Sequence, residues 1–464
     1  TKYFDTILYE GNGTGQRVGQ FQPFGNAFTV GNGALFNGDD NYLGRTQTGG
    51  SNTVWTFSTW IKKCENKNTV YLNFGTGTPQ GQVGFNANGS LYIYNGATVV
   101  AITTQNYRDL SQWTHFHVAY NTGASGTDKC KISVDGALQE WFDTDNRSTA
   151  GAFHDANQSG EVIVLGNNGN YGADAISLNG YMAECVMLDG TASAASNFGQ
   201  TDTSTNRWVP KDVSGLDYSG ANSFYLQFGS SGSDLGDDDS GEGNDLANTN
   251  TVVQVTDSPT SNFGTLARSG GDLTLSNGNR TNQGAAGGGY GHAVSNLSFT
   301  TEKIFVALLV DDGASGAETN TGMSIVPSSY IPDGNDGAQT GAFANVQTYG
   351  ANVRVMPVLP GSAVVLTHSI AMADGDYFTA AIDGTNGNIW FGIYDTSAET
   401  HQYLPAIVGG TAGNPALGTL PTISDRNFSS YEGIQIQTSG YGTGSKSTLC
   451  LASGDLPITP PTDF

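Results

Sequence analysis

At 464 residues the chain has room for two or three domains, each large enough to bury a core. Its 65 glycines and 13% charged residues, set against 37% hydrophobic and 10% aromatic content, exclude a disordered chain and a bundle of long helices. A formal net charge of −24 excludes nucleic acid and anionic membranes as partners, because phosphate binding needs a basic surface; the same charge attracts divalent cations.

Thr1 is followed by Lys2 and no apolar leader, so synthesis in the cytoplasm without a signal peptide is expected. Residues 1–26 hold one alternating strand, Tyr3 to Tyr9, and a turn with Gly11, Gly13 and Gly15. No helix follows those glycines before Pro23, so they are not a dinucleotide fingerprint. The segment reads as a strand that pairs outside its own domain, an anchor on a neighbouring subunit or partner.

From Ala27 the strands come steadily. Thr53 to Lys62 alternates Trp55, Phe57 and Thr59 against Val54, Thr56, Ser58 and Trp60. Val70 to Phe74, Gly81 to Phe85 and Leu91 to Tyr94 follow, with turns at Asn88-Gly89 and Asn95-Gly96. Residues 113 to 120 alternate again, Lys129 to Val134 forms the next strand, Asp135-Gly136 suits a type I′ turn, and Ala137 to Phe142 returns. With Glu161 to Leu165 and Tyr181 to Leu188 this makes about seven to ten strands at roughly ten-residue spacing, the pattern of a β-sandwich.

The runs WTFSTWIKK, QWTHFHVAY, CKISVDGALQE and NGYMAECVMLDG resemble, in order and spacing, the laminin G-like, concanavalin-A-type family over residues 27 to about 200. The next segments, from Ser196 and from Leu235, resemble connectors of tailed-phage structural proteins that carry this domain. Residues 229 to 250 are polar, acidic and glycine-rich, which suits a long ordered loop or linker. In the second half Ile304 to Val310 is the longest apolar run, strand-length and far short of the roughly 18 residues of a membrane span. DYFTAAIDGTNGNIWFGIY, residues 376–394, resembles the paired strands of SPRY-type sandwiches, and the tail LCLASGDLPITPPTDF resembles the close of the same phage proteins. The expected fold is all-β: two tandem concanavalin-A-like jelly-roll β-sandwiches behind a short anchoring segment. The expected domains are 1–26 anchor, 27–215 laminin G-like sandwich, 216–262 acidic connector, and 263–464 SPRY-like sandwich with its tail.

Concanavalin-like glycosidases pair carboxylates on one strand as Glu-x-Asp, and no Glu-x-Asp occurs, so no catalytic residues are assigned and the chain is expected not to be an enzyme. His115 and His117 share a strand face but have no visible third metal ligand, and read as hydrogen-bonded strand histidines. Cys64, Cys130, Cys185 and Cys450 lack metal spacing and read as buried thiols. The acidic loop offers Asp237, Asp239, Asn244 and Asp245 as Ca²⁺ ligands, although Gly241 departs from the EF-hand order; a solvated charged loop is the alternative. The laminin G-like resemblance, in which Ca²⁺ often sits at the sandwich rim, adds weight to the former, and the solvated charged loop remains the favoured reading. Trp141, Tyr171, Tyr290, Tyr349 and Tyr441 lie beside Gly/Asn-rich loops and are candidates for stacking on sugar rings, with core packing as the alternative.

The resemblances imply a tailed-phage virion surface protein, a head or tail fibre, spike or decoration protein. It would display lectin-like domains for weak, multivalent adhesion to host-surface glycan. They also imply a homo-oligomer, a trimer by preference, fixed to other virion structural proteins through residues 1–26. A structural decoration or fibre protein without a ligand, and a polysaccharide depolymerase, are the alternatives.

Overall fold

The structure, a computed structural model, describes residues 28–77, 80–168, 176–203, 205–271, 273–284, 290–312, 321–329, 343–349, 352–356, 358–359, 362–363, 366–405, 411–424, 426, 428, 433–442, 444–451 and 455–464. The anchor segment, residues 1–26, lies outside the described residues. The chain is all-β, and the described helices are 3-10 turns of three to five residues. No described helix is long and apolar enough to cross a membrane. Two compact units are present, one within Phe21–Asn262 and one within Phe263–Phe464. Each is a jelly-roll β-sandwich.

In the first unit one antiparallel sheet runs Ala137–Leu138, Cys130–Val134, Thr114–Asn121, Val54–Lys63, Asn179–Asp189, Gly33–Asn37, Val253–Val255, with Phe224–Leu226 also on Asn179–Asp189. The facing sheet runs Phe142–Asp145, Thr98–Asn106, Ser90–Asn95, Gly81–Phe85, Thr69–Phe74, Val162–Leu165, Tyr42–Thr46, Ala247–Thr249. Strand alternation sends Trp55, Phe57 and Ile61 into the space between the sheets, where they meet Phe74, Phe85 and Leu91 from the facing sheet. Aromatic rings dominate that core. Trp55 stacks on Tyr120 at 5.3 Å and meets Phe153 edge-on at 5.0 Å, and Phe85 meets Phe116 edge-on at 4.9 Å.

The predicted turn at Asp135-Gly136 has φ of 47° and 74°, both positive as a type I′ hairpin requires. Its return strand is shorter than the sequence suggests. Only Ala137–Leu138 pairs back in the first sheet, and from Phe142 the chain pairs with Thr98–Asn106 in the other sheet. The chain therefore crosses between the sheets at residues 139–141.

Residues 216–262, expected as a connector, are instead part of this sandwich. Phe224–Leu226, Ala247–Thr249 and Val253–Val255 add strands to the two sheets, and Phe224, Leu226, Leu235, Leu246 and Val252 enter the core. Their acidic, glycine-rich composition reflects the loops between these three-residue strands, which are too short to show a period.

In the second unit one seven-stranded sheet runs Leu266–Gly271, Tyr290–Ser295, Ile434–Tyr441, Gly322–Pro327, Ala344–Tyr349, Asn352–Met356, Leu366–His368. The other runs Leu273–Ser276, Thr281–Gly284, Lys446–Cys450, Lys303–Asp312, Tyr377–Asp383, Asn388–Asp395, Thr400–Tyr403. The hairpin read at 376–394 is present, with Gly387 at φ 66° in its turn. The C-terminal residue Phe464 meets Trp390 edge-on at 5.9 Å beside Phe305 and Ala381, so the tail covers the outer side of that sheet.

Candidate functional site

The crossing between the two sheets of the first unit creates an open cleft of about 280 Å³. Its walls come from the end of Thr98–Asn106, the loop that follows it, the end of Val54–Lys63, the start of Thr114–Asn121, and the residues on either side of the turn at Asp135. Tyr107 braces it: its ring meets Phe116 edge-on at 5.4 Å and its hydroxyl donates to Gln139 Oε1 at 2.8 Å. Burial pushes the Tyr107 phenol well above its usual pKa, so it remains a neutral donor. Gln105, Asn106, Arg108 and Gln112 line the cleft and are exposed. The wall thus presents amides, cations and two carboxylates, Asp109 and Asp135, which each accept an N–H group, from Ser111 and His115, at 2.8 Å. Such a surface suits a small hydroxyl-rich ligand.

Trp141 lies two residues from the lining residue Gln139 and is 77% exposed; Leu138 on the other side is 51% exposed. Backbone geometry fixes the position of the tryptophan, since Thr104 N–H donates to the Trp141 carbonyl at 3.2 Å. None of the described sequence-predicted aromatics lines the cleft itself; Trp141 is the one next to it along the chain.

Tyr290, Tyr349 and Tyr441 lie on strands of one sheet elsewhere. In the second unit Tyr290 pairs with Tyr441, while Tyr441 and Tyr349 lie two residues beyond Ser439 and Gln347, the partners of Gly322 on either side. The three positions therefore fall at one level of the register across the sheet. In the same sheet Ser324, Asn345, Gln437 and Ser439 are polar yet buried, and neither amide atom of Gln437 has a hydrogen-bond partner. Tyr171 lies outside the described residues.

The acidic loop is organised by Asp238, a residue the sequence did not single out. Its Oδ1 accepts from the Tyr225 and Ser240 N–H groups and its Oδ2 from the Ser240 hydroxyl and the Asn244 N–H, all at 2.8–2.9 Å. Of the residues named for Ca²⁺, Asp239 accepts from Gln227 N–H at 3.0 Å, Asp245 from Asp238 N–H at 2.9 Å, and Asn244 donates to the Ser223 carbonyl at 2.7 Å. Asp237 is exposed, its pKa raised by desolvation and by Asp234, Asp245 and Asp239. Among the described residues no three His, Cys, Asp or Glu side chains group as a metal site.

His115 and His117 are buried and hydrogen-bonded. His115 Nδ1 accepts from Trp208 Nε1 at 3.1 Å and its Nε2 faces the Ser58 hydroxyl at 2.8 Å, so Nε2 carries the proton. His117 Nε2 donates to the Ser193 carbonyl at 3.0 Å, and desolvation holds its pKa down at about 4. Both rings are neutral struts between the sheet and residues 193–208. The four cysteines are buried free thiols.

Sequence reasoning missed Lys63, which lies in the cleft wall. The signal was the Lys62-Lys63 pair closing an apolar strand: alternation places one on each face, so one of them must enter the interior.

No protein-family model matches the chain, and no curated protein matches it. Among solved structures it is similar to the mouse laminin α1 chain domains LG4-5, at 10% identity over 92% of this chain and 91% of that one, TM-score 0.30. A legume lectin-like domain from Entamoeba histolytica matches at 10% identity, covering 39% of this chain and 85% of that domain, TM-score 0.26. A human SPRY domain matches at 13% identity, covering 39% and 96%, TM-score 0.24.

Proposed function

We propose that the protein is a carbohydrate-binding adhesin whose first unit takes a saccharide at the cleft beside Trp141. One observation carries this reading: an amide-bearing opening of about 280 Å³, the size of a single sugar unit rather than a chain, has a tryptophan that is 77% exposed two residues along the chain from its lining residue Gln139. An exposed indole costs solubility, and its flat face matches the C–H face of a pyranose while the amides take the hydroxyls. The setting we propose is the surface of a tailed-phage virion, on a head or tail fibre, spike or decoration. There a trimer fixed through residues 1–26 would present several clefts to host glycan. The sequence motifs support that setting. A shallow site of about 1 mM is worth only about 4 kcal/mol, so adhesion rests on copy number.

The test is a glycan array probed with the full chain displayed at high valency. Trp141→Ala is expected to weaken the glycans that bind by about tenfold per site, roughly 1.4 kcal/mol, while leaving thermal unfolding unchanged because the side chain is exposed. Absence of any glycan above an inert control would end the adhesin reading in favour of a structural decoration protein. Release of reducing ends from host polysaccharide would instead show a depolymerase.

A further inference from the structure

Lys63 is 5% exposed and lines the cleft. Its Nζ donates to Asn66 Oδ1 at 2.8 Å and to the Tyr107 carbonyl, and lies 4.8 Å from the centroid of the Phe85 ring. An ammonium has three donors, so one remains. No carboxylate stands within ion-pair distance of Lys63 among the described residues. The contrast with Lys62 is informative, since that neighbour on the opposite face meets Asp257 at 2.8 Å.

Arg108, Asp109 and Asp135 are the other charged groups lining the cleft. The two carboxylates accept the Ser111 and His115 N–H groups, and among the described residues Arg108, like Lys63, makes no ion pair. Two cations and two carboxylates thus line one opening, a charge-balanced patch in a chain of net charge −24, in which Lys63 is the buried cation that meets neither carboxylate. A largely desolvated cation without a counter-ion works against stability, which points to a ligand as the missing partner.

We propose that the cleft takes an anionic saccharide of the uronic-acid type, whose carboxylate accepts the remaining Lys63 N–H while Trp141 flanks the sugar ring. This rests on the saccharide reading of the cleft. Desolvation lowers the Lys63 pKa to about 8, so the lysine is mostly charged at pH 7 and mostly neutral at pH 9, where the pairing is lost.

The probes are methyl glucuronide and methyl glucoside, which differ only in the carboxylate, titrated into the full chain by calorimetry or ligand-observed NMR. The expected result is a preference of about tenfold for the glucuronide at pH 7, about 1.4 kcal/mol. That preference should disappear in Lys63→Met and, without any substitution, should decline between pH 7 and 9. Equal binding of the two sugars would overturn the inference while leaving the saccharide reading in place, as would a preference that survives both Lys63→Met and pH 9. Sodium acetate binding as well as the glucuronide would overturn it in favour of a bare anion site. Binding of neither sugar, together with a blank glycan array, would remove the inference and the saccharide reading alike.

Discussion

Asp257→Asn is expected to destabilise the first unit by about 3–5 kcal/mol, and adding Lys62→Met to it is expected to restore most of the loss. Lys62 Nζ meets Asp257 Oδ2 at 2.8 Å and Asn262 Oδ1 at 2.8 Å, with side-chain exposures of 0% for the lysine and 5% for the aspartate. Asp257 Oδ1 accepts from Trp113 Nε1 at 2.8 Å, a bond that asparagine preserves. Neutralising the carboxylate alone takes from the buried ammonium the negative charge it meets at 2.8 Å. Removing the lysine as well eliminates the penalty, because replacing both members of a buried pair by neutral groups is often close to neutral. The pair also fixes residues 257–262 over the outer face of the first sheet. Val30 N–H donates there to Thr260 Oγ1 at 2.8 Å, so exchange at the Val30 amide should accelerate in the single variant and recover in the double. The check is the urea midpoint of the full chain at pH 7 with that amide followed in parallel. A single variant as stable as the parent would mean that water or another group compensates Lys62.

The strands of the first half were legible because their two faces differ in composition and their turns carry Asn-Gly or Asp-Gly pairs. Val54–Lys63 and Thr114–Asn121 show this best: the core members alternate with residues that pack under a second layer. That second layer was not legible. Phe198, Val213, Tyr218 and Tyr225 cover Val186 and Leu188 from segments that read as polar loops, since each contributes single apolar residues with no period. The three strands within 216–262 escaped for the same reason. What residue type could supply at the proposed site was one candidate: an aromatic beside a glycine-rich turn, Trp141. The row of Tyr290, Tyr441 and Tyr349 was legible only as three separate residues, because register across three strands depends on pairings remote in sequence. Asp238 was passed over in favour of its neighbours because an acidic loop does not reveal which carboxylate its own backbone will surround.

One irregularity in the sequence does report on the fold once the register is known, and it gives the second large effect. Met182 faces the core, and so do Cys185 and Met187, so the inward phase slips by one residue at Glu184. The slip is a β-bulge: Glu184 and Cys185 together oppose Thr59, between the pairs Ala183–Trp60 and Val186–Ser58. Glu184 takes φ of 50°, and its carboxylate, 6% exposed, accepts from the Tyr225 hydroxyl at 2.6 Å. Burial raises its pKa from 4.5 to about 7, opposed by the Tyr225 hydrogen bond and assisted by Asp212 and Asp239. A carboxyl whose folded pKa lies above its unfolded one binds its proton more tightly in the folded state. Its contribution is therefore fully present below about pH 4.5 and is lost as pH rises through about 7. The span corresponds to about 3 kcal/mol. Glu184→Gln keeps the shape and an acceptor for Tyr225 but cannot ionise. It should match the parent at pH 4.5–5 within about 1 kcal/mol and exceed it by about 3 kcal/mol at pH 8.5 in urea unfolding. A difference between the two proteins that does not change over that range would show that Glu184 ionises in the folded chain as it does in the unfolded one.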